Sequence, residues 1–504
     1  MADTPQHTSE ELHALAVTGL EGVNARSKAR AAEMNGNGYH APMTKPVAPI
    51  IDTKILLNSG ASDEGNAICL EHIYPGRFLY SVFFGWLAYT GTHWSMEGSE
   101  AALDRAIVDT LLKRQLATWH DSENSDTDKA RKLRGFCTPN KGRVEGCKAL
   151  LKSRVACSPS DFDKDPDMLN CSNGVVDLRT GAFASHDHSQ RYMHCTSVDY
   201  VSMADDSVWV NWLIEAVGSQ EIVDYLQLAV GYTLTGHTRE ECLFYLFGPP
   251  RSGKGTFTET ILNVLGQPLA KEITFSTFTA ERNGDSQNFD LAPLKPCRFV
   301  SASESNIYER FNEAKIKAIT GGNEIYCAFK HRDHFSYRPQ FTVWLSSNHP
   351  VNADPDDDAV WGRIRLVEFP TSHLGQEDKG LKFRMRLPAV MEGVLKWAVD
   401  GAVKWYALGN AGMSELVTSK TAKTGQRSQI DTVSMWIDDL CTVHPGNFGI
   451  ASQLYGSYSG WCRDNGAEPK RIKGFSMSLQ HKGFAAERRT VAGKRCRGFV
   501  GVTV

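Results

Sequence analysis

One stretch restricts the fold of this chain more than any other: GPPRSGKGT, Gly248 to Thr256. It follows LFYLF (243–247), an apolar run of strand length. After it, Phe257, Ile261, Val264 and Leu265 recur at helical spacing, and Gly266 supplies a stop. A strand, a Gly-x4-Gly-Lys loop and a helix in that order make a phosphate cradle. Backbone N–H groups point at the phosphates, and the helix N-terminus adds a favourable dipole. The candidate ATP-binding residues are therefore Gly248, Pro249, Pro250, Arg251, Ser252, Gly253, Lys254, Gly255 and Thr256. Lys254 reaches for the β- and γ-phosphates. Gly255 stands where a hydroxyl residue usually follows the lysine, so Thr256 is the candidate Mg²⁺ ligand. An ordinary Gly-rich turn is the competing reading.

Further apolar runs, RFVSA (298–302) and FTVWLSS (341–347), read as buried strands, and 387–405 reads as an amphipathic helix. Strands alternating with helices predict an α/β core over 241–405. Glu304 follows one of these strands, where an acid can orient Mg²⁺ and the attacking water. A solvated loop carries the same residue type. Asn348 ends FTVWLSSN and is a candidate γ-phosphate sensor, or a turn former before His349-Pro350. Arg363, in DDDAVWGRIRLVEF, is a candidate for stabilising transferred charge across a subunit boundary. The competing partner for it is Asp356, Asp357 or Asp358. Between these motifs, EIYCAFK and HFSY read as two strands around a basic tip, Lys330-His331-Arg332, suited to gripping nucleic-acid phosphates.

Outside that core the chain divides further. Residues 1–66 pattern weakly, although Ser9 to Met34 is Ala-rich and reads as a helix. Residues 67–240 read as a mixed α/β unit, with Asn173-Gly174 as a tight turn in MLNCSNGVVDLRTGAF. Residues 406–430 are polar and read as a linker. In 431–504, Asp431 caps a helix with Val433, Trp436, Ile437, Leu440 and Cys441 on its apolar face. A second helix carries Leu454, Tyr455, Tyr458 and Trp461, a third lies near Phe475 and Leu479, and a hairpin follows. Three helices and a two-stranded wing are the layout of a winged helix. Residues 470–497 hold nine Lys/Arg and one Glu. Lys470, Arg471, Lys473, Arg488, Arg489, Lys494 and Arg495 are the candidate DNA contacts in this patch.

Composition excludes more than it selects. A net charge of -3 leaves no uniformly basic coat, so any nucleic-acid contact is local. No run of 18 apolar residues occurs, and the N-terminus lacks a signal-peptide pattern. The 12 cysteines include no C-x-x-C pair, which fits a reducing cytoplasm better than a disulfide or zinc framework. His186, His188 and His194 read as structural or solvated.

With these segments in order, the chain resembles the superfamily 3 helicases, and more narrowly the phage/plasmid and poxvirus-type primase–helicase family. LNCSNGVVDLRTG (169–181), the phosphate loop, KIKAITGGNEIYCAFKHRDHFSYRPQF, LSSNHPV, DDAVWGRI and YGSYSGWCRDNG carry the resemblance, which covers roughly 75–504. It implies an AAA+-like P-loop ATPase core, an N-terminal mixed α/β domain and a C-terminal winged helix. It also implies a hexameric ring on single-stranded or forked DNA, ATP and Mg²⁺ at subunit interfaces, and 3′-to-5′ travel. Residue by residue, Lys254 is then the phosphate-loop lysine, Glu304 the second-motif acid, Asn348 the sensor, Arg363 the finger, and Lys330 with His331 the DNA-gripping tip. Ser303 stands where many relatives have a second acid, and Gly362 where a second Arg often occurs. No primase domain is expected in the 66 residues before the family region. A separate primase, polymerase or loader is an expected partner, and a membrane is not. The expected function is an ATP-dependent replicative DNA helicase. The alternatives are an ATP-switched replication initiator with little processive unwinding, and an ATPase acting on protein partners.

Overall fold

The structure is a computed structural model describing residues 51–121, 125–279, 288–303, 310–329 and 334–504. The Ser9–Met34 stretch lies outside them. The chain is mixed α/β, organised around one parallel sheet.

The N-terminal part begins earlier than its sequence pattern suggests. Helix α1 (Thr53–Asn58) lies inside the stretch read as poorly structured, and α2 (Asp63–Ile73) begins in it. Asp52 and Ser62 cap them by accepting from Lys54 N and Gly65 N, each satisfying an otherwise orphan donor. Strands β1 (Phe78–Ser81), β2 (Gly85–Tyr89) and β3 (Trp94–Ser95) form a small sheet. Helices α3 (Ser99–His120), α4 (Asp128–Phe136) and α5 (Lys141–Arg154) follow. Leu103, Ile107, Leu111 and Leu151 close a core of their own here. Arg114, fully buried on α3, donates to Leu56 O, Asn66 Oδ1 and Gly60 O, pinning α1 to α3.

Strands β4 (Met168–Cys171), β5 (Gly174–Asp177) and β6 (Phe183–Ala184) form a second small sheet. Cys171 pairs with Gly174, so the turn is Ser172-Asn173, one residue earlier than the Asn-Gly signal indicates. Asn173 bonds both the N–H and the carbonyl of Tyr200, and that long-range tether sets the register.

Helices α6 (Ser207–Val217) and α7 (Gln220–Leu234) follow, ahead of β7 (Leu243–Phe247) and α8 (Lys254–Leu265). The sheet is completed by β8 (Ala270–Thr274), β9 (Phe299–Ser303), β12 (Thr342–Ser347) and β13 (Ile364–Glu368) in the order β13-β7-β12-β9-β8. All four pairings are parallel. Helix α9 (Glu313–Thr320) and a hairpin of β10 (Ile325–Ala328) and β11 (His334–Tyr337) precede β12, and α10 (Asp358–Arg363) leads into β13. After β13 come α11 (Leu381–Met385) and the long α12 (Pro388–Ala407).

The packing does not divide at residue 240. Trp209, Leu213, Leu226 and Val230 share one core with Phe257, Trp344, Trp397 and Trp405. Helices α6 and α7 therefore belong to the layer covering the sheet. Helix α7 crosses α12 at glycines: a Cβ on Gly231 would lie 2.1 Å from Ala402 N, and one on Gly401 2.0 Å from Gln227 O.

The predicted linker is also structured. Its residues 417–430 form helix α13 (Val417–Ile430), docked on β13 and the loop before α10. Lys423 donates to Ile364 O, Gln426 accepts from Val351 N, and Arg427 reaches Pro355 O.

The C-terminal unit has its own core of Val433, Trp436, Leu454, Tyr458, Phe475 and Phe499. Helices α14 (Thr432–Leu440), α15 (Ala451–Asp464) and α16 (Ile472–His481) appear where expected, and Asp431 caps α14 by accepting from Ser434 N. Leu440 is exposed instead of sharing the apolar face. Sheet β14-β16-β15 comprises β14 (Thr442–Ile450), β15 (Ala486–Val491) and β16 (Lys494–Thr503). The sequence reading missed β14, whose first five residues are exposed and carry no alternating pattern.

Candidate functional site

The parallel register brings two candidate positions to one edge. Ser347 is level with Phe247, and Ser346 with Ser303. The loop after β7, Asn348 after β12 and the end of β9 at Ser303 therefore share the carboxyl edge, where ligands of open α/β sheets bind.

The Gly248–Thr256 loop is shaped by two glycines. A Cβ on Gly248 would lie 2.1 Å from Phe369 O, so only glycine lets β13's continuation pass this close. Gly253 has φ +98° and stands at the N-cap of α8 with no side-chain cap bond. No acidic residue occupies the first turn, so this helix end keeps its positive dipole unmet. The loop is braced from the segment beyond β13: Ser372 Oγ donates to Pro250 O, and His373 N donates to Arg251 O. That brace was not legible in the sequence.

Lys254 is 6% exposed. Its Nζ faces Gly248 O at 2.7 Å, Pro249 O at 2.9 Å, Ser252 Oγ at 3.0 Å and Asn348 Oδ1 at 2.9 Å. Three N–H bonds thus serve four neutral acceptors. Burial without a carboxylate partner pushes this amine down to about 8. Thr256 is half-buried in the first turn of α8. A Cβ at Gly255 would meet nothing within 4 Å, so space does not explain the missing hydroxyl there.

Glu304 lies outside the described residues, as do Lys330, His331 and Arg332. The hairpin carrying that tip is described on both flanks. Ile325, Cys327 and Tyr337 face inward, and Tyr337 Oη donates to Leu291 O. Tyr326 and His334 stack on the outer face with centroids 4.8 Å apart.

Arg363 is not at the carboxyl edge. It precedes Ile364, which is level with Leu243 at the amino edge. Five residues of β7 separate the two edges, about 16 Å at the usual rise per residue. Its partner is none of Asp356, Asp357 or Asp358. Instead Nη2 donates to Glu241 Oε2 at 2.8 Å and Nε to Thr320 Oγ1 at 3.0 Å. The acidic residues are engaged elsewhere: Lys317 with Asp357, Arg427 with Asp358, and Lys470 with Asp354 and Asp356.

This last contact corrects the reading of Lys470 as a DNA-facing residue. Its Nζ lies 3.1 Å from Asp354 and 2.6 Å from Asp356, and only 20% of the side chain is exposed. Lys482 and Ser478 also bond Asp356, and His481 reaches Asp358. The cluster docks the C-terminal unit on the loop before α10. Arg471, Lys473, Arg488, Arg489, Lys494 and Arg495 remain exposed. Arg489 bonds Glu487 and lies over the Phe448 ring. Arg488 is directly opposite Arg497 in the β15–β16 register, a like-charge pairing that an anion would relieve.

His186 bonds Cys171 O and His188 bonds Asp187. Burial, with His93 adding to it, pushes His194 down to about 4. Among the described residues, no three His, Cys, Asp or Glu side chains group as a metal site, and no helix is long and apolar enough to cross a membrane.

Residues 67–218 match the family described as "D5 N terminal like", and 246–363 match a "Family of unknown function (DUF5906)". Relatives that bear the name "Putative helicase" include two viral proteins that match about two-thirds of this chain. That of Acanthamoeba polyphaga mimivirus is 24% identical over 358 residues, 65% of this chain and 37% of the relative. That of Invertebrate iridescent virus 3 is 21% identical over 400 residues, 68% of this chain and 42% of the relative. "Primase D5" of Fowlpox virus is 21% identical over 238 residues, 44% of this chain and 29% of that protein. These matches support a distant likeness to the poxvirus-type primase–helicase family. The alignments span about two-fifths or less of these viral relatives. Among solved structures, the apo NrS-1 C terminal region has a TM-score of 0.46 at 12% identity, covering 84% of this chain and 95% of that one.

Proposed function

We propose that this chain is an ATP-driven motor on single-stranded DNA, working as a homohexameric replicative helicase of the phage, prophage or plasmid type. The core is read as an AAA+-like P-loop ATPase and the C-terminal unit as a winged helix. The observation that carries the reading is the convergence of Lys254 and Asn348 at the carboxyl edge, beside an uncapped helix N-terminus. Lys254 is held by neutral acceptors only, so a triphosphate would outcompete them for its charge. Asn348, at 2.9 Å from that amine, is read as the residue that responds to the γ-phosphate.

The residues present fit Mg²⁺ with ATP. Mg²⁺ takes one or two protein oxygens besides phosphates and waters, and the Thr256 hydroxyl supplies one. Glu304 is the candidate for orienting the attacking water. About 16 Å of strand keeps Arg363 from its own chain's nucleotide, so a role for it in hydrolysis requires a neighbouring subunit in a ring. The exposed Arg488, Arg489, Lys494 and Arg495 favour salt-dependent duplex contact near a fork.

The test is ATP-dependent strand displacement on duplexes with a 3′ or a 5′ single-stranded tail, with Lys254→Ala in parallel. Displacement from the 3′-tailed duplex alone, lost in the variant, supports the helicase and its direction. DNA-stimulated hydrolysis without displacement on either tail supports the ATP-switched initiator instead. Undiminished hydrolysis by Lys254→Ala sinks both.

A further inference from the structure

Every arm of the Arg363 guanidinium is bonded within the chain: Nη1 to Ala359 O, Nη2 to Glu241 and Nε to Thr320. Ala359 is on the same helix, but the other two partners belong to different machinery. Glu241 sits two residues before β7, the strand that feeds the Lys254 loop, and holds φ +46°, a region non-glycine residues seldom occupy. Thr320 ends α9, and after Gly321-Gly322 the chain enters the hairpin at Ile325. Gly322, at φ +68°, packs on Thr238, where an added Cβ would lie 2.8 Å from its hydroxyl. The root of the hairpin, the approach to β7 and the helix before β13 thus meet at one arginine.

We infer that Glu241 and Thr320 are positioning residues that park Arg363, and that its transfer to a neighbour's phosphates frees the root of the β10–β11 hairpin. The inference rests on reading Arg363 as the arginine that acts across the subunit boundary. A guanidinium stays charged at any working pH, so a carboxylate and a phosphoryl group compete for the same N–H donors. The Glu241 side chain is 54% exposed. The Arg363 side chain is 20% exposed, so water reaches the pair mainly from the carboxylate side, and from there a phosphoryl group can compete for the arginine, which a fully buried pair would resist. Thr320 Oγ1 also donates to Ile316 O, so the same hydroxyl joins the arginine to the body of α9. Occupation of the neighbour's site then loosens the tie between the helix before β13 and the root of the hairpin, because the arginine cannot make both sets of bonds.

The test compares Glu241→Gln, Thr320→Val and Arg363→Ala with the unaltered chain. ATP hydrolysis is measured with and without saturating single-stranded oligonucleotide, alongside thermal unfolding. Unparking should raise the DNA-free rate of Glu241→Gln by up to about fivefold, the worth of an exposed ion pair. The DNA-saturated rate should hold, so the stimulation ratio falls. Thr320→Val should lower the ratio in the same direction. An unchanged ratio in both variants overturns the inference, as does an equal fall of both rates with a lower Tm, which marks a merely structural contact. Arg363→Ala separates the two failures: near-normal hydrolysis by that variant defeats the reading of Arg363 itself.

Discussion

The amide oxygen of Asn348 lies 2.9 Å from the ammonium of Lys254, joining residues 94 positions apart on the segments that follow two adjacent parallel strands. Neither side chain needs the other for packing. Asn348→Ala should therefore leave Tm nearly unchanged while lowering kcat for ATP hydrolysis by about a hundredfold, the usual cost of one lost polar contact to developing charge. Steady-state hydrolysis with a thermal melt checks both halves.

Lys254 gives a pH signature. Burial favours its neutral amine, so the residue opposes folding below pH 8, and that cost fades as pH rises from about 8 toward the ordinary value of 10.5. Nucleotide phosphates favour the ammonium and drive the equilibrium back. Binding at pH 8 should then take up about half a proton, and at pH 6 almost none. Calorimetry in buffers of different ionisation enthalpy measures this uptake, with Lys254→Arg as the control that abolishes it.

The crossing of α7 and α12 leaves no room for a methyl group. Gly401→Ala should cost about 1–3 kcal/mol, because the Cβ would press on backbone that cannot turn aside. Denaturant unfolding should show the loss, whereas Gly456→Ala, on the open side of α15, should not.

Asp356 holds the C-terminal unit against the core. Burial alone would raise its carboxyl, but Lys470 and Ser478 outweigh that and keep it below the usual range. Asp356→Asn should release Lys470 to a phosphate. Duplex affinity should rise, and the plot of log affinity against log salt should steepen by about 1, the increment for one more neutralised phosphate. Fluorescence anisotropy over a salt series reads the slope; an unchanged slope means that Lys470 stays docked.

Local order was legible where a pattern repeats within one element. Phe257, Ile261, Val264 and Leu265 are all buried on α8, and Gly266 caps it at φ +69°. Val433, Trp436 and Ile437 turned inward behind the Asp431 cap for the same reason. Helix α13 escaped because it docks largely through polar groups, with Gln426 buried against Val351 N and the half-buried Arg427 donating to Pro355 O, so no apolar stripe marks it.

By itself the sequence determined the Gly248–Thr256 loop between a strand and a helix, the paired strands around residues 330–333, and the three helices and hairpin at the C-terminus. Spacing and turn chemistry act between near neighbours, and that is enough to specify such units. Only the tertiary structure decided that Lys254 meets Asn348, that Arg363 is parked by Glu241 and Thr320 on the opposite edge, and that Lys470 is turned inward to Asp354 and Asp356. A charge in a sequence has a sign but no partner; partners come from strand order and from the edge to which each loop is carried.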